Sequence, residues 1–230
     1  MTPAAVTDMA EATTVGAGGR QFAFVVTAVS LAALVVQYVL LVRGTLDTIG
    51  PVSATVRYFS YFTIISNLLV TCVASSAALG MDGHWARWFA RARVRSGVAL
   101  YIGVTGIIYV AVLRHLWQPQ GAQWWGDAGL HYATPMLYLA WWLTCVPHGQ
   151  LDWRALPRWL LLPLGYLLWC FVRGAVVHEY PYPFIDVDQL GLATVLRNAI
   201  GVLLLMLAVG ALLLLLDRGL GRARVGTASA

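Results

Sequence analysis

Two hydroxyl residues and one histidine have side chains that suit covalent chemistry in an otherwise apolar chain. Ser60 and Thr63 lie in the stretch RYFSYFTIISNLLV, residues 57–70, and His131 lies much further along the sequence. A hydroxyl becomes a nucleophile when a neighbouring base accepts its proton, and histidine is the usual base near neutral pH. If the helices that carry them adjoin, Thr63 or Ser60 can pair with His131 for acyl transfer.

Sequence motifs for other kinds of chemistry are absent. The chain has no G-x-S-x-G nucleophile elbow, no H-E-x-x-H zinc pair and no Gly-rich phosphate loop. Cys72, Cys145 and Cys170 lie in apolar runs without C-x-x-C spacing, so we expect them to be small core side chains. Hydrolysis without a cofactor or a metal ion is therefore the simplest chemistry that these residues support.

The composition places these residues in a membrane. Hydrophobic residues make up 60% of the chain and charged residues only 11%, whereas soluble domains carry about 25% charged residues. The apolar runs are long and continuous, which favours helices over the short alternating strands of a barrel. The net charge of +5 comes from arginine without lysine, and its uneven distribution indicates membrane orientation rather than nucleic-acid binding. We therefore expect an all-α integral membrane protein.

Six apolar segments are each close to the ~20 residues that cross a bilayer as a helix. They form one transmembrane domain, 20–217, between a disordered polar tail at 1–19 and a basic cytoplasmic tail at 218–230. The arginine-rich loops lie on the side of both termini, so the positive-inside rule places both termini in the cytoplasm. The sequence thus predicts a six-helix bundle. Its spans are 21–42, 58–79, 97–117, 129–146, 156–178 and 191–216.

Polar residues of five predicted spans share one depth, in the outer half of the bundle. A charged side chain that faces lipid costs at least ~2.5 kcal/mol at the helix centre, so these groups should face the bundle interior. Asn67 follows Thr63 on one helix stripe, and Tyr138 lies on the same face as His131. The sequence therefore predicts a polar pocket below the outer surface. Its members are Ser60, Thr63, Asn67, Arg114, His131, Tyr138, Arg173 and Arg197.

Each of these residues also has a structural interpretation. Small hydroxyl residues let membrane helices pack closely, and Asn67 is expected to form an interhelical hydrogen bond rather than to contact a substrate. The arginines can be anchors whose charged ends reach the interface. His131 favours a functional role most, because Pro135 has no N–H for its backbone carbonyl and ionisable residues inside membranes are commonly functional.

Four short motifs occur in series along the chain. They are RYFSYFT at 57–63, LHYATP at 130–135, GYLLW at 165–169 and YPYPFIDV at 180–187. In this series the chain resembles the androgen-induced and androgen-dependent membrane proteins and their bacterial relatives, over roughly residues 57–216. The resemblance implies six membrane spans and a location in the bacterial plasma membrane.

The animal members of that family are intramembrane hydrolases that cleave fatty acid esters of hydroxy fatty acids with a threonine and a histidine. By resemblance, His131 occupies the histidine position. Aligning the basic residue of the family pattern with Arg57 puts Ser60 at the nucleophile position, whereas a shift of three residues puts Thr63 there. Thr63 keeps the chemical identity of the nucleophile, and Ser60 remains the alternative. No carboxylate is clearly placed to orient His131, and Asp127 is one of four loop candidates.

These observations predict an intramembrane Thr/Ser–His hydrolase that cleaves a lipid ester at the outer leaflet. Asn67 or Tyr138 is expected to orient the pair, and Arg114, Arg173 or Arg197 to bind a substrate carboxylate. The expected partner is a membrane lipid or lipidic ester, with no nucleic acid and no metal ion, and the oligomeric state stays open. The alternative is a non-catalytic lipid- or small-anion-binding membrane protein or carrier, although carriers commonly have repeats and the sequence has no evident repeat.

Overall fold

The protein is helical throughout the part that the computed structural model describes, residues 15–228, and contains no β-strand there. Residues 1–14 of the predicted N-terminal tail lie outside the described residues, and the first helix already begins at Ala17. The helices are α1 (Ala17–Phe59), α2 (Phe62–Ala78), α3 (His84–Ala90), α4 (Ala92–Ala111), α5 (Ala122–Ala128), α6 (Thr134–Cys145), α7 (Ala155–Trp159), α8 (Leu161–Val177), α9 (Val187–Leu190) and α10 (Leu192–Ala228). A π-helical segment, Gly129–Ala133, joins α5 to α6, and short 3₁₀ turns occur at Leu113–His115 and Pro183–Ile185.

Four helical stretches are long and apolar enough to cross a membrane. They are Ala17–Phe59, Ala92–His115, Ala155–Val177 and Leu192–Ala223. The helix Phe62–Ala78 is apolar but shorter, at 17 residues. The predicted all-α class and multi-pass membrane character are therefore confirmed, whereas the six-span bundle and the cytoplasmic position of both termini stay predictions.

Helix α1 reverses its direction at Gly50. This residue has φ 71° and ψ 168°, a backbone conformation that glycine adopts without strain, and a proline follows it. The second arm of α1 and helix α2 then run antiparallel to the first arm, as two hydrogen bonds show. Tyr58 donates its hydroxyl to the Leu34 carbonyl at 2.7 Å, and the Ser30 and Thr71 hydroxyls lie 2.8 Å apart.

A helix break separates α1 from α2 within the segment that the sequence predicts as one span, 58–79. Ser60 caps the end of α1, and Tyr61 has an extended backbone with φ −90° and ψ 129°. Ser60 and Thr63 therefore lie on different helices, and the prediction of one continuous helix over 58–79 is wrong at residues 60–61. The break also leaves the Thr63 amide in the first turn of α2, where a backbone N–H has no acceptor within its own helix.

Helix α6 contributes the largest fully buried side chains among the described residues. Tyr138, Trp141 and Trp142 are 0% exposed. The Tyr138 hydroxyl donates to the Arg95 carbonyl at 3.0 Å, and the Trp142 indole donates to the Ser96 hydroxyl at 2.9 Å. Because buried aromatic residues with satisfied polar atoms have little freedom to move, α6 is a rigid base for the π-helical segment that precedes it.

Candidate active site

Thr63 and His131 lie next to each other across the bundle. The Thr63 Oγ1 atom, in the first turn of α2, is 3.4 Å from His131 Nε2, in the π-helical segment. Thr63 is only 6% exposed. The distance is slightly longer than a good hydrogen bond, and such contacts commonly shorten when substrate binds. The structure thus brings together a hydroxyl and a base of the types that nucleophilic catalysis uses.

Asp127 contacts the other side of the His131 ring. Its Oδ1 atom is 3.2 Å from His131 Nδ1, and its backbone carbonyl oxygen is 3.1 Å from the same nitrogen. Both neighbours of Nδ1 are acceptors, so we assign the ring hydrogen to Nδ1. The lone pair of Nε2 then faces Thr63, which is the tautomer that a general base requires.

Tyr109 completes the surroundings of the imidazole. Its ring stacks on the His131 ring with centroids 3.9 Å apart and planes 13° apart, and its hydroxyl donates to Asp127 Oδ2. Asp127 is 4% exposed, so its two carboxylate oxygens are each matched with a donor away from water. Tyr109 therefore holds both the ring plane of His131 and the carboxylate that orients it.

Asn67 forms a hydrogen bond to a backbone carbonyl that the π-helical segment leaves without a donor. Within it the Thr134 amide donates to the Gly129 carbonyl, five residues back. With the same spacing the donor for the Leu130 carbonyl would be Pro135, which has no N–H. Asn67 Nδ2 supplies that donor at 3.3 Å and also donates to the Thr63 carbonyl at 2.8 Å. Asn67 therefore ties the helix of Thr63 to the segment of His131, in agreement with its predicted interhelical hydrogen bond.

Tyr182, in the loop after α8, contacts Thr63 directly. Its hydroxyl oxygen accepts from the Thr63 amide at 3.1 Å and lies 3.2 Å from Thr63 Oγ1. Burial raises the pKa of Tyr182 to about 12, against the opposing effect of its hydrogen bonds with Thr63, so the hydroxyl keeps its proton at neutral pH.

Two cavities meet at Thr63. The larger one, of about 370 Å³, is lined by the catalytic candidates His131 and Asp127. The smaller one, of about 120 Å³, extends between α4, α8 and α10 and is lined almost wholly by apolar side chains such as Met206. Thr63, Leu113 and Tyr182 line both cavities. The Thr63 hydroxyl therefore lies at a junction that opens to apolar space on two sides.

Ser60, the alternative nucleophile, has other partners. Its hydroxyl donates to the Val56 carbonyl at 2.7 Å and accepts from the Trp169 indole at 3.2 Å. The Tyr166 hydroxyl donates to its backbone carbonyl at 2.9 Å. These contacts connect the end of α1 to α8, and the hydroxyl that adjoins His131 is that of Thr63.

The other predicted site residues lie apart from the Thr63–His131 pair. Tyr138 bonds the Arg95 carbonyl, as described above, and the exposed Arg114 donates from Nε to the neighbouring His115 at 3.2 Å. Arg173 donates to the backbone and the carboxylate of Glu179 at 2.9 and 2.8 Å, and Arg197 is exposed. Among the residues described, no arginine lines either of the two cavities. A carboxylate-binding role for these arginines thus stays a prediction.

The sequence left Asp127 as one of four candidates to orient His131, and it did not identify Tyr182 as a neighbour of Thr63. The predicted fourth span began at residue 129, which left Asp127 in a loop, whereas helix α5 includes it and places it one turn before His131. The spacing of four residues between an acid and a histidine was the signal that could have identified it. For Tyr182 no comparable local signal exists, because it is 119 residues from Thr63.

Within the part of the chain that the structure describes, no group of three or more His, Cys, Asp or Glu side chains could hold a metal ion.

Comparisons of the chain with known proteins found no match. No protein-family model, no curated protein and no solved structure matches the chain.

Proposed function

We propose that this protein is an intramembrane hydrolase of lipid esters, with Thr63 as the nucleophile and His131 as the general base. The observation that supports this most is the continuous line of contacts from the Thr63 hydroxyl through the His131 ring to the Asp127 carboxylate. An acid–histidine–hydroxyl line of this kind suits acyl transfer because each group orients or activates the next.

The reaction proceeds in two halves. Thr63 Oγ1 attacks the ester carbonyl while its proton moves to His131 Nε2, and Asp127 stabilises the resulting imidazolium through Nδ1–H. The bond to the alcohol then breaks, and the leaving oxygen takes the proton from Nε2, which leaves an acyl group on Thr63. Water attacks this acyl ester by the same proton transfers and releases the carboxylic acid and free Thr63.

The cavities support an apolar ester as the substrate. An ester carbonyl at Thr63 has apolar space on two sides, so the acyl and alcohol portions can both be hydrocarbon chains. Esters of the kind cleaved by the family that the sequence resembles, fatty acid esters of hydroxy fatty acids, have this form. We propose entry from the outer leaflet of a bacterial plasma membrane, with both termini in the cytoplasm.

A non-catalytic lipid-binding protein or carrier is the second candidate. The helix break at Ser60–Tyr61 favours it, because carriers commonly bind their ligands at broken helices inside the membrane. The same break also leaves the Thr63 amide, next to the hydroxyl, without an acceptor in its own helix, so the break is compatible with catalysis as well. The observation that distinguishes the two candidates is whether an ester is cleaved.

The experiment compares purified variants on long-chain fatty acyl esters and with a fluorophosphonate probe. Thr63→Ala and His131→Ala should each lower kcat by about 10³-fold or more and prevent labelling. Ser60→Ala, the matched hydroxyl control three residues earlier in the chain, should stay within several-fold of the wild-type kcat. Labelling that is unchanged in Thr63→Ala would exclude the proposed nucleophile. Lipid binding without turnover or labelling in the wild-type protein would support the second candidate.

A further inference from the structure

We propose that the Tyr182 hydroxyl is a catalytic donor that stabilises the negative oxygen of the tetrahedral intermediate. This inference rests on the proposed hydrolase function, because it assigns a role in that reaction. It concerns a residue that lies far from the nucleophile in sequence and contacts the nucleophile from a separate loop.

The contacts around Thr63 determine which hydroxyl group donates and which accepts in each hydrogen bond. Tyr182 accepts from the Thr63 amide, so its own hydrogen points towards a different acceptor. The Thr63 hydroxyl donates to His131 Nε2, which leaves the Oγ1 lone pairs free to accept. Tyr182 O–H therefore donates to Thr63 Oγ1 at 3.2 Å. The series runs from Tyr182 to Thr63, from Thr63 to His131, and from His131 to Asp127.

Attack on the ester changes the acceptor of the tyrosine hydrogen. When Oγ1 forms its bond to the carbonyl carbon, the electron pair of the C=O double bond moves onto the carbonyl oxygen. That oxygen is bonded to the same carbon as Oγ1 and becomes the strongest acceptor near Tyr182. A small displacement lets the hydroxyl donate to it, and the tyrosine keeps its proton throughout. When the oxyanion collapses and the alcohol leaves, the hydrogen bond returns to its starting acceptor.

The tyrosine ring is held independently of any substrate. It stacks on Phe184 with centroids 5.3 Å apart and planes 4° apart, and it contacts Tyr61 edge-on at 5.8 Å. The loop is fixed on the far side by Asn198, which donates to the Phe184 carbonyl at 2.9 Å. A donor that is positioned before the reaction stabilises developing charge most effectively, because nothing has to reorganise during the chemical step.

The test is the variant Tyr182→Phe, which removes the hydroxyl and keeps the ring. We expect kcat to fall by about 10²–10³-fold, the loss typical of one oxyanion donor, while KM changes by less than about 3-fold. The matched control is Tyr101→Phe, because Tyr101 is buried but donates its hydroxyl to the Trp159 carbonyl and lines neither cavity. Its kcat should stay within several-fold of wild type.

A second measurement separates a catalytic role from a structural one. Thionoesters carry sulfur in place of the carbonyl oxygen, and sulfur is the weaker hydrogen-bond acceptor. The ratio of kcat for an ester to kcat for its thionoester should therefore be larger in the wild-type protein than in Tyr182→Phe. This ratio does not depend on the fraction of folded protein, so it holds even if the variant is unstable.

The possible outcomes distinguish the inference from the proposed function. An unchanged kcat or an unchanged ester-to-thionoester ratio in Tyr182→Phe overturns the role of Tyr182 while the hydrolase function stands. A wild-type protein that neither cleaves esters nor reacts with the fluorophosphonate overturns both. A fall in kcat together with a reduced ratio supports the donor role.

Discussion

At the scale of single residues, the protonation of His131 depends on the groups around Nδ1. Asp127 presents a carboxylate oxygen and a carbonyl oxygen to that nitrogen, and the Tyr109 hydroxyl keeps the carboxylate turned towards it. An amide in place of the carboxylate would offer an N–H to the ring. It would then favour the tautomer in which Nε2 carries the hydrogen and cannot accept the Thr63 proton.

Asp127→Asn should therefore lower kcat by about 10²–10⁴-fold with little change in KM, since the variant keeps the shape of the site but favours the wrong tautomer. Steady-state hydrolysis of a fatty acyl ester measures the effect. The control is Asp82→Asn, because Asp82 is exposed and lies outside both cavities. A kcat for Asp127→Asn within a few-fold of wild type would mean that the carboxylate does not orient the base.

The sequence could predict the hydroxyl and the imidazole, but only part of their surroundings. Thr63 and His131 carry recognisable residue types at one predicted depth, and the structure brings them together. The sequence alone could not decide whether Thr63 or Ser60 is the nucleophile candidate, because a helix break that depends on tertiary contacts lies between them. The position of Tyr182 beside Thr63 could not be predicted for a similar reason, since it follows from packing against Phe184 and Tyr61.

At the scale of helices, the π-helical segment depends on its close approach to α1. A Cβ atom on Gly129 would lie 2.6 Å from the Ala33 Cβ, closer than two carbon atoms can approach without displacement. The Ala33 Cβ is attached directly to the backbone and cannot rotate away. Glycine at position 129 therefore permits the contact that places His131 beside Thr63.

Gly129→Ala should lower stability by about 1–3 kcal/mol through overpacking, and it should lower kcat because it moves the segment of His131. The unfolding temperature in detergent and the ester hydrolysis rate are the measurements. The double variant Gly129→Ala with Ala33→Gly removes the opposing Cβ and should recover part of both losses.

A matched control for this substitution is Gly165→Ala in α8. Apart from its chain neighbours and the nearby backbone of its own helix, no atom lies within 4 Å of the Cβ that this variant would add. Alanine should leave stability unchanged or raise it by up to about 1 kcal/mol, as expected for a helix interior. If Gly129→Ala behaves like Gly165→Ala, the close approach to α1 does not position the segment.

The helices were partly predictable because hydrophobic runs mark apolar helices well. All six predicted spans overlap helical segments in the structure. The reversal at Gly50 lies within the predicted connection between the spans 21–42 and 58–79. The π-helical turn at Gly129–Ala133 was not predicted, because it falls inside the predicted span 129–146 without a change in composition. Only Gly129 and Pro135 indicate it, and such residues also occur in uninterrupted membrane helices.

At the scale of the whole molecule, a carboxylate outside the spans joins separate parts of the chain. Glu179 forms ion pairs with Arg57 near the end of α1 and with Arg173 in α8. Burial alone would raise the pKa of Glu179, but the hydrogen bonds and charges of Arg173 and Arg57 outweigh it and hold the pKa below its ordinary value. The loop that carries Tyr182 follows this cluster directly.

The lowered pKa of Glu179 predicts a pH-dependent contribution to stability. A carboxylate whose pKa is lower in the folded state stabilises the fold at pH values above its unfolded pKa of about 4.3, and this contribution is lost as the pH falls through the folded-state pKa. Glu179→Gln should therefore lower the unfolding temperature in detergent at pH 7, and its difference from wild type should shrink as the pH is lowered towards 3.

The control for this prediction is Asp188→Asn. Asp188 lies in the short helix α9 that follows this loop and pairs with His178 at the exposed surface, so its loss should change the unfolding temperature much less. If the difference between Glu179→Gln and wild type stays constant from pH 7 to pH 3, the ion pairs do not contribute to stability in the way proposed.

Different parts of the chain surround the junction of the two cavities. The groups of the proposed reaction come from α2, from the segment after α5 and from one loop, whereas α8 and α10 supply much of the wall of the smaller cavity. Leu203 and Met206 in that wall lie far along the sequence from the nucleophile. In the proposed hydrolase, evolution can therefore exchange such wall residues and alter which hydrocarbon lengths are accepted, while the hydroxyl, imidazole and carboxylate assigned to the reaction remain unaltered.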